Sequence, residues 1–595
     1  MQYKNRSDVP EKYKWDLTDF FKDDGEFNKT FKETKKIINK LPSYKGKLHD
    51  ANKLYKFIEL EVEAIAKWEK LYVYSYLIND QELGNAKSIK RKEKCEKLNV
   101  ELCNNTSFYA PELLKLTKEE YYKLFKDNPK LNEYKFDLDK TFRRKEHILD
   151  AEKEIIVNNL VQATNHFEDI YANLKNNEID YGKININGEE IVIAPNNYRK
   201  LMKNEDESIR REIYEKFYSN ITKHSASFAA LLNSYVSMKD KLSKIYNFSD
   251  TWNEKLFQYN FTNKVYESLV DTVLANIKPI NRYFELKKKV LNKKILKPWD
   301  LGLDIVKNSK KYTIEEAQEL CLKAIKPLGE EYYKKFKKIF DNRYIDYCQY
   351  KGKQSGGYSC STMLTDSRIL MSFNDDLESV STIIHEGGHN AHHQFIKENN
   401  PLIYRNNESV VAEVASLTNE CLLSMYLAEH GKTKEEKLSG IKNIMDVIVS
   451  NLYGTVREGK IEQDFYDLVH NGEMITADFL NKEKKESLKL YYGKNVEIDD
   501  YIESSWISIS HYYMTFYLYS YAISISVAIS LSNKILNNDQ EALNNYIKFL
   551  KCGSNMWPQD IFKILGVNLE DKKVYEDACN YLNKLIDKYY EVLAE

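Results

Sequence analysis

The stretch "LYKFIELEVEAIAKWEKLY", beginning at Leu54, places Leu54, Phe57, Ile58, Val62, Ile65 and Tyr72 on one face of a helix turning every 3.6 residues. A second such stripe begins at Thr262 and runs through Val265, Leu269, Val273 and Ile277, with Pro279 expected to kink it. Little interrupts patterns of this kind, because 595 residues contain only 10 prolines and 20 glycines, the residues that punctuate a chain. The chain is therefore confined to a mainly α architecture. Its length allows two to four ordinary domains or one large multi-lobed one, with enough core to need neither disulfides nor a structural metal. Both stripes read as core rather than binding surface.

Two places break the helical period. In "KININGEEIVIAP", alternating Ile184 and Ile186, an Asn187-Gly188 turn and the run Ile191 to Ile193 predict a β-hairpin, taken to mark a lobe boundary. In "YIDYCQYKGKQSGGYSCSTMLTDSRILMSFNDD", β-type runs at Tyr344 to Cys348, Tyr358 to Thr362 and Ile369 to Phe373 alternate with glycine-rich and polar turns. That second segment leads directly into a cluster of histidines.

Charge and cysteine usage narrow the function classes. Lys and Arg number 89 against 90 Asp and Glu, a net charge of -1, so no global field attracts a polyanion or an anionic membrane. Nucleic acid and membrane are excluded as main partners on that ground. The eight cysteines are dispersed with no C-x-x-C pair, the pattern of reduced thiols. "MQYKNRSDVPEKYKWDL" has neither an apolar run nor a cleavage site of the secretory kind. "SYAISISVAISLS", from Ser520, falls short of the roughly 20 apolar residues a spanning helix needs and is expected to be a buried core helix. A soluble, cytoplasmic protein is expected.

"TIIHEGGHNAHHQF" (residues 382–395) holds four of the eleven histidines: His385, His389, His392 and His393. Val380, Ile383 and Ile384 form an apolar stripe behind Asn374, Asp375 and Asp376, any of which could cap a helix here. On that helix both His385 with His389 and His389 with His393 have the i, i+4 spacing that lets two imidazoles share an ion. Chemistry chooses between them. A hydrolytic zinc site needs a carboxylate to take a proton from water, and the H-E-x-x-H arrangement supplies it directly after the first histidine. Glu386 follows His385, whereas Asn390 follows His389. The pair is His385 and His389, with Glu386 as general base. His392 lies about 10 Å along the axis from His385 and is a candidate for supporting a ligand rather than being one. His393 has no assigned role. Gly387 and Gly388 each cost a helix about 1 kcal/mol relative to Ala, but they would let another segment approach closely.

A third ligand comes from "ESVVAEVASLTNECLLSMYL", a helix expected to be capped near Asn407 or Ser409. Glu413 and Glu420 sit seven apart on one face among Val410, Val414 and Leu417, and carboxylates in such company need a cation or a close hydrogen-bond partner. Glu413 is assigned as the third zinc ligand and Glu420 as the acceptor that orients a ligating imidazole.

With these residues in hand, "GKQSGGYS", "ILMSFNDDLESVSTIIHEGGHNAHH", "VVAEVASLTNE" and "SHYYMTFYLYSYA" resemble, in order and spacing, the signatures of the thimet oligopeptidase-like zinc peptidases, within them the oligoendopeptidase F branch. The resemblance covers most of the chain and is strongest over residues 340–530. It implies a large two-lobed, mainly helical metallopeptidase with a deep substrate channel and a small β-sheet beside the zinc site. It also implies three segments: an N-terminal helical region (1–112), an oligoendopeptidase F-type lobe ending in the hairpin (113–195) and a zinc metallopeptidase domain (196–595). By the same likeness His385, His389 and Glu413 hold one zinc ion per chain, Glu386 is the base, and His392 matches a histidine of the extended motif. His511 and tyrosines after it, Tyr513 and Tyr521 being favoured, match the segment that hydrogen-bonds the scissile carbonyl. The residues depart from the family at Gly387, where a larger apolar residue is usual, and at Cys360, a small-residue position beside the substrate groove. The first is expected to loosen the histidine helix and the second to make activity sensitive to thiol oxidation.

The expected activity is zinc-dependent hydrolysis of internal bonds in short, unstructured peptides, the peptide lying extended on an edge strand near Gly357, Tyr358 and Ser359 or Ile369 to Phe373. No obligate protein partner is implied. A zinc carboxypeptidase or dipeptidase shares the same ligand set, and a non-catalytic peptide-binding protein would have no need of Glu386.

Overall fold

The stripe beginning at Leu54 belongs to a 31-residue helix, Ala51–Gln81, whose first turn is capped by the Asp50 carboxylate accepting from the backbone N–H groups of Asn52 and Lys53. The computed structural model describes residues 2–150, 153–154, 156–157, 160–161, 166–307, 310–354 and 356–595; Ser355 of the glycine-rich turn lies outside them. Leu54, Phe57 and Ile58 are fully buried, whereas Ile65 and Tyr72 are only half-buried. The buried face moves because the partners change along the helix: Phe57 meets Tyr44, Phe108 and Tyr109, while Tyr74 meets Phe20, Phe21 and Phe27.

Val265, Leu269 and Val273 are buried on the helix Asn263–Ala275, but Pro279 does not kink it. A new helix, Lys278–Val290, begins there with proline in its first turn, where the missing N–H would have had no partner anyway. The helix Leu518–Leu536 buries Ala522, Ile523, Ile525 and Ala528 completely and is a core helix. Among the described residues one helix, Ser409–His430, is long and apolar enough to cross a membrane, and 78% of that apolar window is buried inside the protein.

The hairpin pairs Lys183–Ile186 with Glu189–Val192 antiparallel, Ile184 opposite Ile191. Asn187 and Gly188 both take positive φ (54° and 87°), the turn whose twist matches the strands. The second β region makes a three-stranded sheet in the order Ile345–Asp346, Arg368–Leu370, Tyr358–Cys360, the first pair parallel and the second antiparallel. Its strands are shorter than the apolar runs predict. Beyond Asp346 the buried Lys353 ammonium gathers the carbonyls of Asp346, Cys348 and Met371, and Gln349–Tyr350 turns away to pair with Gln2–Tyr3.

The chain forms two compact units, each drawn from three separate stretches. One comprises Met1–Glu152, Ser309–Leu423 and Leu531–Val567; the other comprises Lys153–Asn308, Ser424–Ser530 and Asn568–Glu595. All eight cysteines are unpaired thiols.

Candidate metal centre

The histidine cluster lies on the helix Leu377–Asn399 in the first unit. Of the three candidate caps, Asp376 takes the role, its carboxylate accepting from the Ser379 N–H (2.9 Å) and Oγ–H (2.7 Å). Asp375, at φ 59°, turns the chain into the helix, and the Asn374 N–H donates to Ser379 Oγ. Val380, Ile383 and Ile384 are wholly buried, so the apolar stripe fixes the rotation of the helix and presents His385 and His389 together, their ring centroids 5.0 Å apart.

Gly387 and Gly388 fit two close neighbours. A Cβ on Gly388 would stand 2.8 Å from Ser416 Cα and 2.9 Å from the Ala415 carbonyl oxygen, so the helix Ser409–His430 passes almost in backbone contact. A Cβ on Gly387 would stand 2.5 Å from the ring of Phe336, on the helix Gly329–Asp341. The expectation that Gly387 loosens the helix is therefore corrected: Phe336 occupies the space a larger residue would fill. The approach is pinned by Asn419, whose amide donates to the Ile384 carbonyl (3.1 Å) and accepts from the Tyr332 hydroxyl (2.9 Å).

That contact brings Glu413 to the histidines. Glu413 Oε2 is 3.7 Å from Nε2 of both His385 and His389, and one donor atom from each of the three residues lies within 4.8 Å of the others. Ligands about 2.0–2.2 Å from a shared ion stand about 3.3 Å apart, so the set needs only a small contraction to hold one. Ser416 Oγ donates to Glu413 Oε2 (3.1 Å), and Glu420 Oε1 accepts from His385 Nδ1 (2.5 Å), leaving Nε2 to face Glu413. Burial opposes a charge on His385, but Glu420, Glu386 and Glu413 outweigh it and raise the ring to about 10; burial lowers His389. Three carboxylates around two imidazoles make a site whose negative charge a divalent cation largely offsets, and two nitrogens with one carboxylate oxygen suit zinc.

Glu386 is buried beside His385. His392 is buried too, but it faces elsewhere: its Nδ1 accepts from the Asn407 amide (3.3 Å), its ring stacks on Phe549, and its Nε2 has no hydrogen-bond partner among the described residues. Burial pushes it down to about 3. His393 donates through Nε2 to the Thr362 and Thr365 carbonyls, tying the helix to the loop before Arg368–Leu370.

Tyr358–Cys360 is the outer strand of its sheet. A Cβ on Gly357 would stand 3.0 Å from Thr382 Cγ2, three residues before His385, so this edge runs beside the histidine helix. Tyr358 donates to Asp80 (2.9 Å), and Ser359 Oγ is buried without a hydrogen-bond partner among the described residues. Burial together with Glu69 and Asp80 pushes the Cys360 thiol up to about 12. That shift disfavours the thiolate, the form that reacts.

His511 and its tyrosines lie in the second unit. Ser510–Tyr513 is a 3-10 turn, followed by Phe516 at φ 55° and the helix Leu518–Leu536. The His511 ring is 5.8 Å from that of Tyr521 and 6.2 Å from that of Tyr517. The Tyr513 ring instead packs against Tyr171 and Tyr235 (5.0 and 5.4 Å) and is largely buried. Burial lowers the His511 pKa, so its ring is a neutral N–H donor at pH 7. Sequence reasoning favoured Tyr513 and passed over Tyr517, as it did Asn419 and Ser416. Only Asn419 and Ser416 left a signal, as polar residues inside an apolar stripe.

Comparison with known proteins points to peptidases. A model of peptidase family M3 matches residues 200–581, and one described as oligopeptidase F matches residues 112–181. Oligopeptidase PepF of Bacillus subtilis is 29% identical over 599 residues, covering 100% of this chain and 89% of that protein. The oligoendopeptidase F homolog of Borreliella burgdorferi is 30% identical over 590 residues, covering 97% of each. The crystal structure of oligoendopeptidase-F from Enterococcus faecium superposes with a TM-score of 0.75 at 25% identity, covering 96% of this chain and 99% of that one. With a family match over more than half its length and relatives that align end to end, this chain belongs to peptidase family M3.

Proposed function

We propose that this chain, a metallo-oligoendopeptidase of family M3, cleaves internal bonds of short, unstructured peptides using one zinc ion held by His385, His389 and Glu413. The observation that carries the reading is the convergence of three donor atoms within 4.8 Å while Glu420 holds the other nitrogen of His385. Zinc bound there supplies a Lewis acid for the scissile carbonyl and makes nearby water more acidic. Glu386 takes the proton of the attacking water and passes it to the leaving amine. Glu420 fixes the tautomer and aim of His385. The edge at Gly357, Tyr358 and Ser359 pairs with the backbone of an extended peptide, which tolerates many side chains. His511 and Tyr521 donate hydrogen bonds to the developing oxyanion, with Tyr517 joining them in place of Tyr513. His392 supports the histidine helix through Asn407.

Residues 1–112 serve as an N-terminal helical region, 113–195 as the oligopeptidase F lobe and 196–595 as the catalytic domain. Eight unpaired thiols suit a reducing compartment, so the enzyme works in the cytoplasm, on free peptides and without an obligate protein partner.

The test is cleavage of an internally quenched short peptide blocked at both ends, with and without a chelator, alongside metal analysis. Chelator-sensitive internal cutting with close to one zinc per chain supports the reading. Zinc without internal cutting points to a carboxypeptidase or dipeptidase, and no zinc to a peptide-binding protein.

A further inference from the structure

The turn between Tyr513 and Leu518 is held by two helices: on Ser225–Ile245 the Tyr235 hydroxyl donates to the Tyr513 carbonyl (2.8 Å), and the second helix supplies two carboxylates. Thr455–His470 presents Glu458 and Glu462 one turn apart, both buried. Glu458 accepts from the Tyr512 hydroxyl (2.8 Å) and is itself paired with Lys484 and Arg457. Glu462 Oε1 accepts from the Phe516 backbone N–H (2.7 Å), while its Oε2 is buried with no hydrogen-bond partner among the described residues.

Phe516 is the residue that needs holding. Its φ of 55° lies in the left-handed region that bulky side chains avoid, and such a conformation persists only where its surroundings over-determine it. Its ring is buried against Trp252 and Tyr466, and the flanking Thr515 hydroxyl hydrogen-bonds the hydroxyls of Tyr235 and Tyr466. Phe516 lies between His511 and the tyrosines whose rings stand near the imidazole, Tyr517 (6.2 Å) and Tyr521 (5.8 Å).

We propose that Glu462 is a positioning residue: by accepting the Phe516 N–H it locks the left-handed turn that aligns Tyr517 and Tyr521 with His511. The inference rests on the oxyanion-donor role proposed for that cluster. A charge on Glu462 is offset only in part, by the Phe516 N–H and by Lys255. The groups facing it are Lys255 from the helix Thr251–Tyr259, Tyr235, Tyr266, Tyr466, Tyr512 and Tyr519, with Glu458 one turn away, and Lys255 offsets its burial only in part. Burial raises its carboxyl to about 8, so it stays protonated at neutral pH.

The test compares Glu462→Gln, which keeps an acceptor for Phe516, with Glu462→Ala, which does not. In full-length protein, hydrogen exchange read by mass spectrometry should rise about tenfold or more in peptides covering residues 510–521 for the alanine variant, with the helix Leu377–Asn399 unchanged and the glutamine variant like wild type. The kcat of the alanine variant should fall about tenfold or more with KM within about twofold, and the glutamine variant should keep both near wild type. Unchanged exchange at 510–521 in Glu462→Ala overturns the anchoring. Raised exchange with unchanged kcat overturns the positioning role. If wild type cuts no peptide, the proposed function fails, and the exchange comparison still decides whether Glu462 holds the turn.

Discussion

At the scale of single residues, the hydrogen bond between His385 Nδ1 and Glu420 decides which ring nitrogen a metal can use. Glu420→Ala should weaken zinc binding about 10- to 100-fold in competition with a chromophoric chelator, and unchanged affinity would remove Glu420 from the site. Glu386→Gln should keep its zinc, by metal analysis, and lose about 10²- to 10⁴-fold in kcat. A glutamine enzyme with near wild-type turnover would mean another group is the base. Both carboxylates of the second helix were legible in the sequence, because an acid within an apolar stripe must find a cation or a donor. The tyrosine partners of His511 were not. Five tyrosines within ten residues are chemically alike, and the rings of Tyr517 and Tyr521, not that of Tyr513, stand near the imidazole.

At the scale of elements, the site exists because two helices meet almost backbone to backbone at Gly388 and Ser416. Gly388→Ala should force them apart, costing about 1–3 kcal/mol in stability and weakening zinc binding, since Glu413 sits one turn before Ser416. Thermal unfolding with a zinc titration measures both, and a variant unchanged in each would show that the helices can yield. The same helix is tied down at its far end. Asp366, buried, accepts from Lys338 (2.8 Å), the Tyr344 hydroxyl (3.0 Å) and Lys397. Burial works against its charge, but Lys397 and Lys338 prevail and hold its pKa well below the usual range near 4. A depressed carboxyl stabilises the fold above its unfolded pKa and loses that contribution as pH falls through its folded one. Asp366→Asn should therefore lower the melting temperature at neutral pH, by about 1–3 kcal/mol in stability, and the gap from wild type should close below pH 4. A constant gap across pH would assign the loss to packing. Helix existence was readable from the apolar period, whereas the buried Lys353 that ties together the carbonyls of Asp346, Cys348 and Met371 lies outside any periodicity.

For the whole molecule, each compact unit gathers three stretches separated in sequence, and no disulfide enforces that assembly. Stability rests on buried apolar surface and buried polar ties. Reductant should therefore leave the melting temperature unchanged, and a reductant-dependent shift would reveal a disulfide. By itself the sequence determined the helical architecture, through a 3.6-residue apolar period rarely broken by proline or glycine. It also placed His385, Glu386 and His389 together, because i, i+4 spacing and the residue after His385 are properties of a single helix. Only the tertiary structure decided how Glu413 reaches two histidines on another helix, why Gly387 and Gly388 are small, and which tyrosines accompany His511. Those outcomes depend on contacts between segments far apart in the chain, and local periodicity carries no information about what stands opposite a residue.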